Sequence, residues 1–151
     1  MSVVRWRPNA TVAVVIVQDD KFLLVEEIDR VTGARVLNQP AGHLEDNESL
    51  IEAAIREVRE ETRWDVDITG YLGVARFIGA DGLTYLRHSF LATPIAEDTT
   101  RALDEVIIAT HWLSLQDVES SDIPLRSPLV LSVIQLYLSG AIAPMSLVLD
   151  I

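Results

Sequence analysis

The stretch Gly42-His43-Leu44-Glu45-Asp46-Asn47-Glu48-Ser49-Leu50-Ile51-Glu52-Ala53-Ala54-Ile55-Arg56-Glu57-Val58-Arg59-Glu60-Glu61-Thr62-Arg63-Trp64 decides how the chain is read. From Ser49 to Thr62 it holds neither Gly nor Pro and is rich in Ala and Glu. Ser49-x-x-Glu52 has the spacing of a capping box, so these residues predict a helix of about four turns. At roughly 100° per residue, Ile51, Ala54, Ile55 and Val58 share one stripe, while Arg56, Glu57, Glu60 and Glu61 fall in a sector of roughly 140° on the opposite side. One face is expected to pack and the other to gather carboxylates. The pairs Glu57/Glu61 and Glu57/Glu60 set like charges one turn apart, which costs a few tenths of a kcal/mol each on an isolated helix. Arg56 screens part of that repulsion, and a hard divalent cation, which seeks several oxygen ligands, offsets it more fully. Ala53, one turn before Arg56 and Glu57, is small enough to leave room for an ion or substrate. The same pattern also suits a solvated acidic face, so the surroundings must separate the two.

Upstream, Pro40-Ala41-Gly42 reads as a turn whose backbone can approach a ligand closely. Residues 11–17 are β-branched and apolar, Asp19-Asp20-Lys21 is a turn signal, and residues 22–25 complete a hairpin. Thr32-Gly33 marks another turn before Val36-Leu37. Downstream, residues 68–78 and 85–93 read as two strands joined by Gly79-Ala80-Asp81-Gly82, a second antiparallel pair. Residues 107–113 form a further short strand, and Ser114 is positioned as a helix N-cap. Leu129, Val130, Val133, Ile134 and Tyr137 recur at helical spacing, with Gly140 where that helix stops. No repeat or linker divides the chain, so 1–151 is read as a single domain. Hairpins mixed with two or three helices predict a layered α+β fold.

At 151 residues the chain is long enough for one domain with a sizeable core and too short for two ordinary ones. Its formal net charge is −11, and residues 42–65 hold eight acids against three arginines, so nearly half of that charge sits in the helical stretch and the loop before it. Such a balance argues against polymeric nucleic acid or an anionic membrane as partner, and an anionic substrate needs local arginines or metal ions. There is no cysteine, so disulfides, thiolate nucleophiles and Cys-ligated zinc are excluded and any metal must be held by oxygen or imidazole. The early apolar run 12–17 is about a third of a membrane span and is followed by Asp19-Asp20, and no signal-peptide pattern precedes it. A cytoplasmic protein is expected.

The run Gly42-x5-Glu48-x7-Arg56-Glu57-Val58-x-Glu60-Glu61-x-x-Trp64 resembles the Nudix box, the signature of hydrolases that cleave diphosphate linkages in nucleotides and related compounds. Matching its six fixed Gly, Glu and Arg positions by accident has odds on the order of 10⁻⁵ in a chain of this length. The runs Asn38-Gln39-Pro40-Ala41-Gly42-His43-Leu44-Glu45 and Leu125-Arg126-Ser127-Pro128-Leu129-Val130, with Pro8 ahead of the first strand, are similar to the NudJ-type phosphatases of that family. The resemblance implies a Nudix-type α/β/α sandwich with a mixed sheet and a catalytic loop-helix. It implies hydrolysis of phosphoanhydride bonds in nucleoside tri- or diphosphates, or in related diphosphate metabolites such as hydroxymethylpyrimidine diphosphate. Mg²⁺ is the implied cofactor, with Mn²⁺ as its substitute, and a monomer or homodimer acting on a small molecule is expected.

Carried over by position, Glu57, Glu60 and Glu61 are implied metal-binding carboxylates, and Glu57 doubles as the base or water-positioning group. Arg56 is implied to orient Glu57, the Ala41 or Gly42 carbonyl to add a ligand, and Glu48 to support the loop by bonding its backbone. No protein nucleophile is then required. One fixed position departs: Arg63 stands where the pattern has glycine. A glycine there would end the helix in a left-handed conformation, so Arg63 bears on the helix terminus and leaves the carboxylates alone. A left-handed terminus is still expected. Outside the box, Glu105 is a candidate further carboxylate ligand, and Arg126 either holds a substrate phosphate or pairs with an acid. His43, His88 and His111 are lesser candidates for catalysis, His43 foremost because it follows Gly42. Trp6 and Phe77 are expected to pack in the core or at its rim, with stacking on a heterocycle as the less favoured role. The competing function is a Nudix-fold protein that binds a nucleotide without turning it over. The complete Arg56/Glu57/Glu60/Glu61 set argues against it and Arg63 weakly for it. A Ca²⁺-binding or interaction helix lacks the EF-hand loop spacing.

Overall fold

A computed structural model describes residues 3–151. Strand β1 (Asn9–Gln18) turns at Asp19 and Asp20 into β2 (Lys21–Ile28). Both aspartates have positive φ, 50° and 58°, the conformation that two-residue hairpin turns require and that Asp tolerates better than most residues. After a turn at Gly33 the chain forms β3 (Arg35–Asn38) and then β4 (Ala41–His43). Helix α1 (Leu50–Thr62) is followed by the long strands β5 (Trp64–Ile78) and β6 (Thr84–Glu97), then β7 (Ile107–Leu113), α2 (Leu115–Glu119) and α3 (Leu129–Leu138).

The sheet is mixed. Its main path runs β3-β2-β1-β6-β5, with β4 on β1 and β7 on β2. β1 is parallel to β6 and antiparallel to β4, so Val12 to Ile16 sit between neighbours and are at most 1% exposed. The continuous apolar run in the sequence thus reflects burial on both faces. Val12, Val14, Ile16 and Leu23 pack towards α1 with Ala53, Ala54 and Val58, while Val15, Phe22 and Leu24 pack towards α2 and α3 with Val118, Val130, Val133 and Ile134. This gives the layered α/β/α arrangement expected. The last residues return to the sheet: Tyr71 and Ala143 exchange backbone hydrogen bonds, and Met145 and Val148 pack on the α1-side core.

Two expectations need correction. Residues 40–42 are not a free turn. Ala41, Gly42 and His43 pair with Ala13, Val12 and Thr11, and the Pro40 carbonyl accepts from Val14 N–H, so this segment is a short strand built into the sheet. A three-residue strand with Gly at its centre carries no alternation from which to recognise it. The packing face of α1 is also rotated from the stripe drawn on the sequence. Ala53, Ala54, Glu57, Val58, Glu61 and Thr62 are buried, whereas Ile51 and Ile55 are only partly so. The carboxylates of Glu57 and Glu61 point towards the sheet rather than away from it.

Candidate active site

The position of α1 is set at both ends. Ser49 and Glu52 form the reciprocal capping box: the Ser49 hydroxyl accepts from Glu52 N–H at 3.1 Å and the Glu52 carboxylate accepts from Ser49 N–H at 2.7 Å. At the other end Arg63 is left-handed, with φ 69° and ψ 3°, and its N–H donates to the Arg59 carbonyl. The expected terminus is therefore kept without glycine. The Arg63 carbonyl accepts from Asp98 N–H and from Arg101, which also pairs with Asp65. These contacts fix the connection from α1 to β5.

Within that frame Arg56 ties the loop to the helix. Its guanidinium donates from Nε and Nη2 to the two Glu48 oxygens at 2.9 and 2.7 Å, and Nη2 also donates to the His43 carbonyl at 3.0 Å. Nη1 donates to Glu57 Oε1 at 2.8 Å and to Glu60 at 3.2 Å. Glu48 in turn accepts from Glu45 N–H at 2.8 Å. The two oxygens of Glu48 are met by a planar fork, the strongest geometry for such a pair, and its carboxyl is held below the usual range chiefly by Arg56. With Nη1 on Glu57, the same side chain supports the loop and aims a carboxylate.

Glu57 lies against Gly42 so closely that a Cβ at position 42 would overlap its carboxylate oxygens. Glu61 accepts from Ala41 N–H at 3.3 Å. Oxygens of Glu57, Glu61 and Asp104 all lie within 4.8 Å of one another. Burial pushes the Glu57 carboxyl up against the opposing pull of Arg56, and pushes Glu61 well above its ordinary value, with Glu27 and Glu57 adding to the shift. Three carboxylates this close, two of them buried, repel one another unless they share protons or a cation. Their hard oxygen donors and spacing fit a divalent metal such as Mg²⁺.

Glu60 lines the same cleft but is directed to Arg56, outside the tight cluster. Glu105 is exposed and has no place in the cluster; its neighbour Asp104 takes it. The cause is in the backbone: Asp104 N–H donates to the Glu60 carbonyl at 3.0 Å, which pins that residue beside α1. Arg126 pairs with the buried Glu27 at 2.7 Å and borders the cleft. None of the histidines hydrogen-bonds a cluster carboxylate among the described residues. His88 meets the Tyr71 hydroxyl, His111 meets Glu26, and His43 packs edge-on to Tyr85. Trp6 is 69% exposed, contrary to the expected packing. Phe77 stacks on Tyr85 at 5.2 Å and lines a second cavity, of about 610 Å³, which shares Ala41, Gly42, His43, Glu27 and Arg126 with the cleft.

Asp104 in the cluster, and Glu27 and Arg87 in the walls of the adjoining cavity, are not singled out by the sequence. Glu27 was detectable as an acid at the end of an apolar strand. Arg87 sits in a run read as a strand, and its burial, at 4% exposure, depends on tertiary packing. Burial brings its guanidinium down to about 10. No helix among the described residues is long and apolar enough to cross a membrane.

The NUDIX domain profile matches residues 7–131. Phosphatase NudJ of Escherichia coli (strain K12) is 36% identical over 145 residues, spanning 96% of this chain and 93% of that protein, and Phosphatase NudJ of Shigella flexneri matches to the same extent. A solved NUDIX hydrolase from Nitrosomonas europaea superposes with a TM-score of 0.91 at 42% identity, covering 96% of this chain and 98% of that one. The MutT NUDIX hydrolase of Burkholderia pseudomallei shares the fold, with a TM-score of 0.72 at 22% identity over 86% of this chain and 98% of that one. With the box residues assembled around one acidic cluster and a profile match across most of its length, the chain belongs to the Nudix hydrolase family.

Proposed function

We propose that this chain, acting as a single domain, hydrolyses a phosphoanhydride bond in nucleoside tri- or diphosphates or in related diphosphate metabolites such as hydroxymethylpyrimidine diphosphate. The observation that carries this is the convergence of Glu57, Glu61 and Asp104 beside Gly42 in a cleft that also holds Glu60 and Arg56. Similarity to proteins named Phosphatase NudJ supports phosphoanhydride hydrolysis in general. Mg²⁺ is the proposed ion, with Mn²⁺ as substitute, held by Glu57, Glu61 and Asp104 with Glu60 and the Ala41 carbonyl at its margin. Bound there, the ion supplies neutralisation of the diphosphate oxygens and acidifies the attacking water.

The chain's own residues supply the rest. Glu57 accepts the proton of the attacking water. Arg56 holds Glu57 Oε1 in place and prevents the carboxylate from turning away. Glu48 anchors Arg56 and the Glu45 backbone, so the loop carrying Gly42 keeps its distance from α1. Burial of Glu57 and Glu61 excludes bulk water and strengthens each electrostatic contact. Binding without turnover loses its one support, because Arg63 only caps the helix. The test is release of phosphate or pyrophosphate from a panel of nucleotides and diphosphate metabolites with Mg²⁺. Turnover that vanishes with chelator supports hydrolysis, and tight binding without any release overturns it.

A further inference from the structure

Beyond Gly42 the cavity shared with the cleft has a buried cation in its wall. Arg87 on β6 pairs in register with Thr11 on β1, which pairs in turn with His43 on β4, so the arginine lies in the sheet row next to Gly42. Its Nη2 donates to Gln39 Oε1 at 2.8 Å and, more weakly, to Asn38 Oδ1 at 3.5 Å. Both acceptors are neutral amides. Its Nε is buried with no hydrogen-bond partner among the described residues. The carboxylates around the cavity are already engaged. Glu27 accepts from Arg126 and from Asn38 Nδ2, Asp29 from Val31 N–H, and Asp81 from the Tyr85 hydroxyl and Leu83 N–H.

Glu27 and Glu61 act on this guanidinium only through space, and a guanidinium taken out of water with no anion hydrogen-bonded to it is an unfavourable state that a bound anion relieves. Helix α3 adds to the same field. Ser127, Pro128 and Leu129 at its start line the cavity, where Ser127 accepts from Leu129 N–H through its hydroxyl at 3.3 Å and from Val130 N–H through its carbonyl, so the helix contributes its dipole rather than free donors. The remaining donors of Arg87 suit a tetrahedral oxyanion with several acceptor oxygens, and phosphate is such a group. The stacked Phe77 and Tyr85 give the cavity an apolar wall for the organic part of the same molecule.

We propose that Arg87 binds a phosphate of the substrate other than the one attacked at the acidic cluster, which makes this cavity a subsite for a phosphorylated organic leaving group. The inference rests on the hydrolase reading of the cleft and extends it to which end of the substrate enters the cavity: the organic group arrives carrying a phosphate and leaves as a monophosphate.

The test uses the full chain without metal, so that no cation in the cleft holds the ligand. A nucleoside monophosphate and its parent nucleoside are titrated while the Arg87 Nε–H resonance, assigned with Arg87→Lys, is followed by nitrogen-proton correlation NMR. The monophosphate is expected to shift that resonance and the nucleoside to leave it unmoved. Folded Arg87→Gln is expected to bind the monophosphate at least about tenfold more weakly, with nucleoside binding changed less than about threefold. If Arg87→Gln does not fold, the resonance of the native chain decides alone. Absence of monophosphate binding, binding with the resonance unmoved, or equal affinity of folded Arg87→Gln and the native chain overturns the proposal. Hydrolysis with Mg²⁺ is measured on the same preparation. Turnover with a silent Arg87 removes only this assignment, whereas an Arg87 response without turnover removes the hydrolase reading and with it the leaving-group role, and leaves Arg87 as a phosphate-binding residue only.

Discussion

The Glu57 carboxylate occupies the space that a side chain at position 42 would need, so Gly42 and Glu57 are fitted to each other across two separate elements, β4 and α1. Glycine is required here for its missing Cβ; its φ is not positive. Gly42→Ala therefore forces Glu57 off its place while leaving the helix and sheet backbone free to form. A displacement on the order of an ångström at a catalytic group lowers the rate roughly a hundredfold. Steady-state kinetics with Mg²⁺ should show that loss in kcat with an unchanged circular dichroism spectrum, and a Gly42→Ala enzyme within about threefold of native would mean that Glu57 is not held where the chemistry occurs.

The backbone bond from Asp104 to the Glu60 carbonyl selects one of two adjacent acids for the cluster. Asp104→Asn should weaken Mg²⁺ binding by about tenfold or more, with activity partly recovered at high Mg²⁺, in line with loss of one anionic ligand. Glu105→Gln should leave both within about threefold. Metal titrations of the two variants check this, and the opposite ranking would return the role to Glu105.

Arg63 pays a Cβ penalty at its left-handed position, and its Nε is buried without a partner. Arg63→Gly should stabilise the protein by up to about 1 kcal/mol, and the entropy that glycine adds to the unfolded chain keeps the gain below the full relief. Because the residue only caps α1, kcat should change less than about threefold. Chemical denaturation gives the first quantity. A tenfold change in kcat with unchanged stability would place Arg63 in the active site.

The raised carboxyl of Glu61 has a defined consequence for stability. Between its unfolded value, about 4.3, and its higher native one, the folded state binds more protons than the unfolded state, so this group's contribution is lost as pH rises through that window. The slope reaches at most about 1.4 kcal/mol per pH unit for one group. Without metal, the melting temperature of Glu61→Gln relative to the native chain should therefore climb as pH rises from about 5 to about 7. Mg²⁺ should reverse the ranking by stabilising the native chain more, because the cation takes the place of the shared proton. A difference between the two proteins that is flat with pH would contradict the burial of a strained carboxylate.

Much of this site is legible in the sequence where a single element carries the signal. The capping box at Ser49, the Asp19-Asp20 turn and the helix around Val130 and Ile134 all depend on local spacing, and all form as expected. What was not legible arises between elements. Hydropathy alone gives no reason for Glu57 and Glu61 to face the sheet; they do so because Gly42 and Ala41 N–H lie opposite them. Whether Asp104 or Glu105 joins the cluster depends on one backbone hydrogen bond in a segment without periodicity. The burial of Arg87 follows from the parallel pairing of β6 with β1, a contact across more than seventy residues of chain.

The most direct test of the account is kcat for Glu57→Gln at saturating Mg²⁺. The amide keeps the shape of the side chain and its place beside Gly42 but loses the charge and the basicity, so kcat should fall by at least about a hundredfold while the melting temperature of the metal-free protein is held or raised. A folded Glu57→Gln enzyme that turns over at close to the native rate would contradict the assignment of Glu57 as the base, and with it the claim that this acidic cluster performs the hydrolysis.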